Sequence, residues 1–109
     1  MKKKLKKEEK HEAELKLEPG TEVEVVNGKV FIRTYIPEKS IYVSTVRDTH
    51  FIGFDYIAET AVFKLSGNKI DKLIREIPHY RTDLEYLKKK HREIVEKIKR
   101  GESLEEVET

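Results

Sequence analysis

A predicted β-hairpin at residues 21–36 constrains the fold of this chain more than any other feature. The dipeptide Asn27-Gly28 stands between two segments that alternate apolar and polar residues, and Asn-Gly readily adopts the two positive φ angles of a tight hairpin turn. A two-residue loop also fixes the register, so Val25 should face Val30. The face of this hairpin that we expect in the core carries Val23, Val25, Val30 and Ile32.

Further β-segments follow the hairpin without the helical crossovers that parallel strands need. A turn at 37–40 leads into an alternating segment at 41–47, and a plain hairpin there would set Tyr35 opposite Tyr42. Residues 51–65 are also β-rich, either as one bent strand or as two. Together with an alternating segment near the start of the chain, these segments predict an antiparallel meander sheet or a small, partly closed barrel of about five or six strands.

The period of the apolar residues changes to that of a helix after the sheet. The residues that indicate a first helix are Ile70, Leu73, Ile74 and Ile77. They predict a helix at about 69–77 that ends before Pro78. The segment 82–85 has the spacing of a capping box, which predicts a second helix at about 82–100, and Gly101 is a typical stop.

The composition is that of one small, highly charged domain. The 109 residues suffice for a single core, and 40% of them are charged with a net charge of only +2. The excess of basic residues lies at the start of the chain and on the last helix, and the acidic excess at its end. We therefore expect one α+β domain at 12–100, β-rich at 12–66 and helical at 69–100, between a basic tail at 1–11 and an acidic tail at 101–109.

The composition also excludes several classes of protein. The absence of cysteine rules out disulfides, thiolate metal sites and cysteine nucleophiles. No apolar run approaches the roughly 18 residues of a membrane span, and no apolar region of a secretory signal follows the basic start. We expect a cytoplasmic protein without membrane contact, metal or cofactor. Its surface rich in lysine and glutamate is typical of proteins from thermophiles.

Candidate catalytic residues are few, because Gly-rich phosphate loops, metalloprotease motifs and nucleophile elbows are all absent. Asp48 and His50 would point the same way on an extended segment, and with Asp55 they could serve a small hydrolase or nuclease. An ordinary polar turn explains the same residues, since their spacing is not diagnostic of metal ligands. We expect no enzyme activity.

Basic residues on the last helix favour a surface that contacts nucleic acid. The residues expected to contact phosphates are Lys88, Lys89, Lys90, Arg92 and Lys97. A patch that could stack single-stranded bases would be formed by Arg33, Tyr35 and Tyr42, which share one face in the predicted register. Two alternatives remain open: the helix lysines pair with neighbouring glutamates, and the aromatic face is the layer on which the helices pack.

The apolar seam of the last helix is a candidate oligomer interface with heptad spacing. Its residues are Leu84, Leu87, His91, Ile94 and Ile98. The seam lies either on the sheet of its own chain or against a second copy, and His91 would set the register or lie at the rim of the core. The leading hypothesis is a non-enzymatic, oligomerising domain, a homodimer or higher, that contacts DNA or RNA. The alternative is a protein–protein adaptor or structural protein with no nucleic-acid role.

Overall fold

The computed structural model describes residues 17–49, 56–105 and 107, which form a five-stranded antiparallel sheet with one helix on one face. The elements are β1 (Gly20–Val26), β2 (Lys29–Ile36), β3 (Ile41–Thr49), β4 (Tyr56–Ser66), β5 (Lys69–His79) and α1 (Leu84–Lys99). The strands lie side by side in chain order, so the fold is a meander and belongs to the α+β class. In the described ranges, no helix is long and apolar enough to cross a bilayer.

The predicted registers of the first two hairpins are confirmed. Asn27 and Gly28 form the β1–β2 turn with φ angles of 51° and 85°, and Val25 lies opposite Val30. A single 3₁₀ turn at Pro37–Lys39 joins β2 to β3 and sets Tyr35 opposite Tyr42. The turn chemistry therefore decides which side chains share a face.

The predicted first helix at 69–77 is wrong, because these residues form β5. Gly67, with a φ of 65°, opens a tight turn with Asn68 that returns the chain antiparallel to β4. Two register shifts between β4 and β5 interrupt the alternation, so the apolar residues of β5 do not follow a period of two. Pro78 is tolerated because β5 lies at the edge of the sheet and one side of it needs no N–H donor.

Of the two predicted forms of the sheet, the meander sheet is confirmed and the barrel is not, since the sheet is open. Within the residues that the structure describes, β1 and β5 are the two edges and do not pair with each other. The second predicted helix is confirmed as α1. Its N-cap is Asp83, whose side chain accepts a hydrogen bond of 3.2 Å from the backbone N–H of Tyr86. At its end, Gly101 has a φ of 75° and donates to the carbonyl of Ile98 at 3.0 Å, as in a Schellman motif.

The core lies between α1 and the face of the sheet that it covers, in two apolar clusters. The larger cluster consists of Ile36, Val43, Val62, Ile77, Ile94, Val95, Ile98 and Val107. The smaller cluster consists of Val30, Ile32, Ala58 and Leu87. On β2, β3, β4 and α1, the residues between the clusters or beside them are polar and buried: Thr34, Thr45, Thr60 and His91. A polar belt therefore crosses the core.

Candidate functional site

The helix lies over β2 and β3, with which it makes its main contacts. The residues of the edge strand β1 that point to the helix side lie beyond these contacts and are partly uncovered. Val23 and Val25, expected in the core from the hairpin pattern, are 44% and 53% exposed. A groove therefore lies between α1 and β1.

This α1–β1 groove has a volume of about 320 Å³. Its lining consists of Thr21, Val23, Ile32, Lys88, His91, Arg92, Val95, Glu96 and Lys99. The valine and isoleucine side chains give it an apolar floor, while three cations and one carboxylate come from the helix. Such a mixture of apolar surface and a few convergent charges is typical of binding sites.

The three cations of the groove form one basic stripe along α1. Lys88, Arg92 and Lys99 fall within a sector of about 40° at 100° per residue. Lys88 has a distant ion pair of 3.9 Å with Glu85, whereas Arg92 and Lys99 make no ion pair with any other described residue. The stripe therefore favours a ligand with negatively charged groups that face the groove.

Behind the groove, the polar belt of the core is a continuous chain of hydrogen bonds. In order, this Thr–His row consists of Thr21, Thr34, His91, Thr45, Thr60 and His79. Consecutive side chains are joined at 2.6 to 2.8 Å. The row starts at the groove, where Thr21 and His91 are part of the lining, and crosses the sheet to β5.

Both histidines of the row are neutral at physiological pH. Burial lowers the pKa of His91 to about 4, and its two nitrogens bond to Thr34 and Thr45. Burial and then the charge of Lys90 lower the pKa of His79. The loss of hydration disfavours the charged imidazolium in each case.

The number of available protons fixes which group donates in each hydrogen bond of the row. Each threonine and each neutral histidine brings one proton, and the Nδ1 atom of His79 is buried without a partner among the described residues. A proton on that Nδ1 would leave an orphaned donor, so the proton belongs on Nε2, which donates to Thr60. Donation then continues through Thr45 and His91 toward the groove. The row is a structural network, because Thr45 and Thr60 are fully buried and no substrate reaches them.

The residues predicted to contact nucleic acid lie on several different surfaces. On α1, Lys88 and Arg92 lie on the groove and Lys89 is exposed on the outer side. Lys90 is buried and pairs with Glu93 at 3.4 Å, and Lys97 pairs with Glu102 at 3.6 Å. The helix lysines therefore do not form one continuous surface.

The predicted stacking patch lies on the other face of the sheet. Arg33, Tyr35 and Tyr42 line a hollow of about 250 Å³, so they do come together as the register predicted. The alternative that the helices pack on them is wrong, because α1 covers the opposite face. Glu24 holds the Arg33 guanidinium at 3.2 Å, which reduces its availability to phosphate.

The predicted oligomer seam is occupied within the chain. Leu87, His91, Ile94 and Ile98 are buried against the sheet of their own chain, and Leu84 packs beside the smaller cluster. Of the two arrangements that the sequence left open, the structure has the one in which the helix covers its own sheet. The homodimer stays a prediction, and it would need another surface.

Of the three residues considered for a hydrolase, the structure describes only Asp48. His50 and Asp55 lie outside the described residues, and Asp48 forms an ion pair of 3.7 Å with Lys29. In the part of the chain that the structure describes, no group of three or more histidine, aspartate or glutamate side chains could hold a metal ion.

Sequence reasoning missed the groove and the row. One signal was available, since the hairpin register already sets Thr21 opposite Thr34 on the helix side. The position of α1 on the sheet depends on packing between distant elements, so no local pattern could reveal it.

Comparisons with protein-family models, with curated proteins and with solved structures found no match to this chain. Its function is therefore inferred from the groove and the residues around it.

Proposed function

We propose that this chain is a non-enzymatic binding domain whose ligand lies in the α1–β1 groove and presents negatively charged groups to it. The observation that carries this proposal is the basic stripe of Lys88, Arg92 and Lys99 beside the exposed apolar surface of β1. Apolar side chains supply contact area, and the stripe supplies orientation and attraction over a longer range.

The walls of the groove support binding, because they are held by buried contacts. Val95 and His91 belong both to the groove lining and to the buried side of α1. His91 bonds to Thr34 and Thr45 on two neighbouring strands, which fixes the helix along the sheet. A preformed groove loses little conformational entropy on binding.

A second candidate function is nucleic-acid contact through the exposed cations of α1. The observation that favours it is that Lys89, Arg92 and Lys99 lack an ion pair with the other described residues. Each phosphate neutralised by such a side chain would add a salt-dependent contribution to affinity. The interleaved Glu85 and Glu96 count against a long phosphate track.

Charge-neutralising variants test the proposal. In the groove variant, Lys88→Gln, Arg92→Gln and Lys99→Gln are combined. The matched control combines Lys64→Gln, Lys69→Gln and Lys72→Gln, which remove the same charge from the β4–β5 hairpin. Two fluorescent probes of similar charge are titrated into each protein: a short peptide of alternating valine and glutamate, and a single-stranded oligonucleotide of mixed sequence.

We expect the peptide to bind the wild-type chain, and the groove variant to bind it about tenfold more weakly than the control variant does. An equal loss in both variants would show general attraction to a basic protein and overturn the groove as the site. Absence of peptide binding by the wild-type chain would also contradict the proposal. Preferential binding of the oligonucleotide, lost on Lys89→Gln, would support the second candidate instead.

A further inference from the structure

We infer that the ligand of the α1–β1 groove is an extended peptide that adds to β1 as a new edge strand. This inference rests on the proposed function and names its partner class. Peptides bind in this way wherever a sheet edge with free backbone groups lies beside a pocket for alternate side chains.

The first observation is the open backbone edge of β1. Across the described ranges, β1 pairs with β2 alone, in a regular register without a shift. The N–H and C=O groups on its outer side pair with no other described strand, and such an edge is a template for an added strand. An added strand would lie about 4.8 Å beyond β1, where it would cover Val23 and Val25 beneath the flank of α1.

The second observation is that the opposite edge of the sheet is protected. β5 contains Pro78, which has no N–H to donate, and its pairing with β4 is interrupted by two register shifts. Proline and bulges at an edge are the usual devices that prevent strand addition. β1 has neither device, although the same chain uses both on the other side.

The third observation is the charge on the two faces that an added strand would meet. Its helix-side residues would face Lys88, Arg92 and Lys99. Its other residues would lie near Glu22 and Glu24, whose side chains are 75% and 51% exposed and share one cation, Arg33. The peptide that fits therefore alternates apolar or acidic residues on one face with basic residues on the other.

A second copy of this chain does not fit the same edge. In an antiparallel pairing of two β1 strands about a twofold axis perpendicular to the sheet, any register that uses most of Gly20–Val26 sets a glutamate opposite a glutamate. Glu22 and Glu24 are the residues involved. Like charges directly opposite each other destabilise a strand pair, so the edge selects a partner of different sequence.

Two blocked eight-residue peptides of identical composition test this inference on the full chain. In the first, valine or glutamate occupies every other position and lysine the remainder; in the second, the same residues are scrambled without alternation. Affinity is measured by titration, and backbone amide exchange is followed residue by residue with NMR.

We expect the alternating peptide to bind at least about tenfold more tightly than the scrambled one, and to slow the exchange of alternate amides in Gly20–Val26. Glu24→Lys should weaken its binding about threefold or more, because the lysines of the peptide then face a like charge. A matched change on the far side of the sheet, Glu76→Lys, should leave the affinity unchanged.

Equal binding of both peptides without protection of β1 would overturn strand addition and leave the proposed function standing. Absence of binding by either peptide to a folded chain would contradict both. Protection of β1 that rises with protein concentration in the absence of peptide would assign the edge to a second copy. Protection of the β1 amides by an oligonucleotide and not by the peptides would indicate that the ligand of this edge is a nucleic acid.

Discussion

Two kinds of contact hold α1 on the sheet, and they behave differently. The two apolar clusters gain stability from burial, which is roughly proportional to area and has no required direction. The Thr–His row between them depends on the direction and completeness of each hydrogen bond, since a buried polar group without a partner costs more than a satisfied one gains. The clusters therefore supply most of the stability, and the row selects one position of the helix.

The position of His91 shows this selection. Its nitrogens bond to Thr34 on β2 and Thr45 on β3, both at 2.7 Å. A helix displaced by one turn would place an apolar residue against these threonines and put the imidazole into a cluster. Because the position of α1 on the sheet defines the groove beside β1, the row indirectly fixes the shape of the candidate site.

Removal of a central side chain from the larger cluster should have the largest effect on stability. Ile94 is fully buried, so Ile94→Ala should lower the free energy of unfolding by about 2–5 kcal/mol through lost burial and a cavity. Chemical denaturation followed by circular dichroism measures the change. The matched variant Ile70→Ala, at an exposed position of β5, should cost less than about 1 kcal/mol. Equal losses would show that the cluster is not the main source of stability.

Acid should weaken the row before it affects the clusters. The pKa of His91 is about 4 in the folded chain against 6.5 as a free group, so the unfolded chain binds a proton first as the pH falls. Stability should be constant above about pH 7 and fall between pH 6.5 and 4, by about 3 kcal/mol for this group. The lowered pKa of His79 acts in the same direction.

Denaturation midpoints measured at several pH values check this dependence. His91→Gln should be less stable at pH 7 but should lose less stability between pH 6.5 and 5, because only His79 still contributes. A wild-type curve that is flat over this interval would show that the imidazole of His91 is charged or exposed in the folded chain.

The parts of this fold that local chemistry determines were predictable from the sequence, and the others were not. Asn27-Gly28 fixed the first hairpin, and with it the shared face of Arg33 and Tyr35, because turn type sets the register. The residues of β5 were misread because bulges disrupt the strand period and leave apolar spacings that imitate a helix. The tight turn at Gly67-Asn68 was the available sign of a strand.

The candidate site was harder to predict than the fold. The seam of α1 was recognised by its heptad spacing, but the same spacing suits a second helix and a sheet face equally well. Only the packing of distant elements shows that His91 is shared by two strands and that β1 is left uncovered. The run of basic residues on the predicted helix likewise gave Lys88 and Lys89 the same role, although they lie on different sides of the helix.

Replacement of one buried hydroxyl by a methyl group distinguishes the contribution of the row to stability from that of the clusters. Thr45→Val keeps the volume but removes the partner of His91 Nδ1 and of the Thr60 hydroxyl, so it should cost about 1–3 kcal/mol. Val43→Thr, two residues away on the same strand and face, should cost a similar amount by adding an unsatisfied hydroxyl to the larger cluster. Unfolding by denaturant measures both, and a stabilising Thr45→Val would mean that the row contributes nothing to the fold.

The same exchange at the groove end of the row should have the smallest effect. Thr21 is exposed and bonds only to Thr34 within the row, so in Thr21→Val a water molecule in the groove can accept the proton that Thr34 donates. The expected loss of stability is within about 0.5 kcal/mol, well below that of Thr45→Val. Denaturation of the two variants side by side gives the difference. Similar losses for both would indicate that water does not reach Thr34, and the wet groove that the ligand is proposed to enter would then be closed at this end.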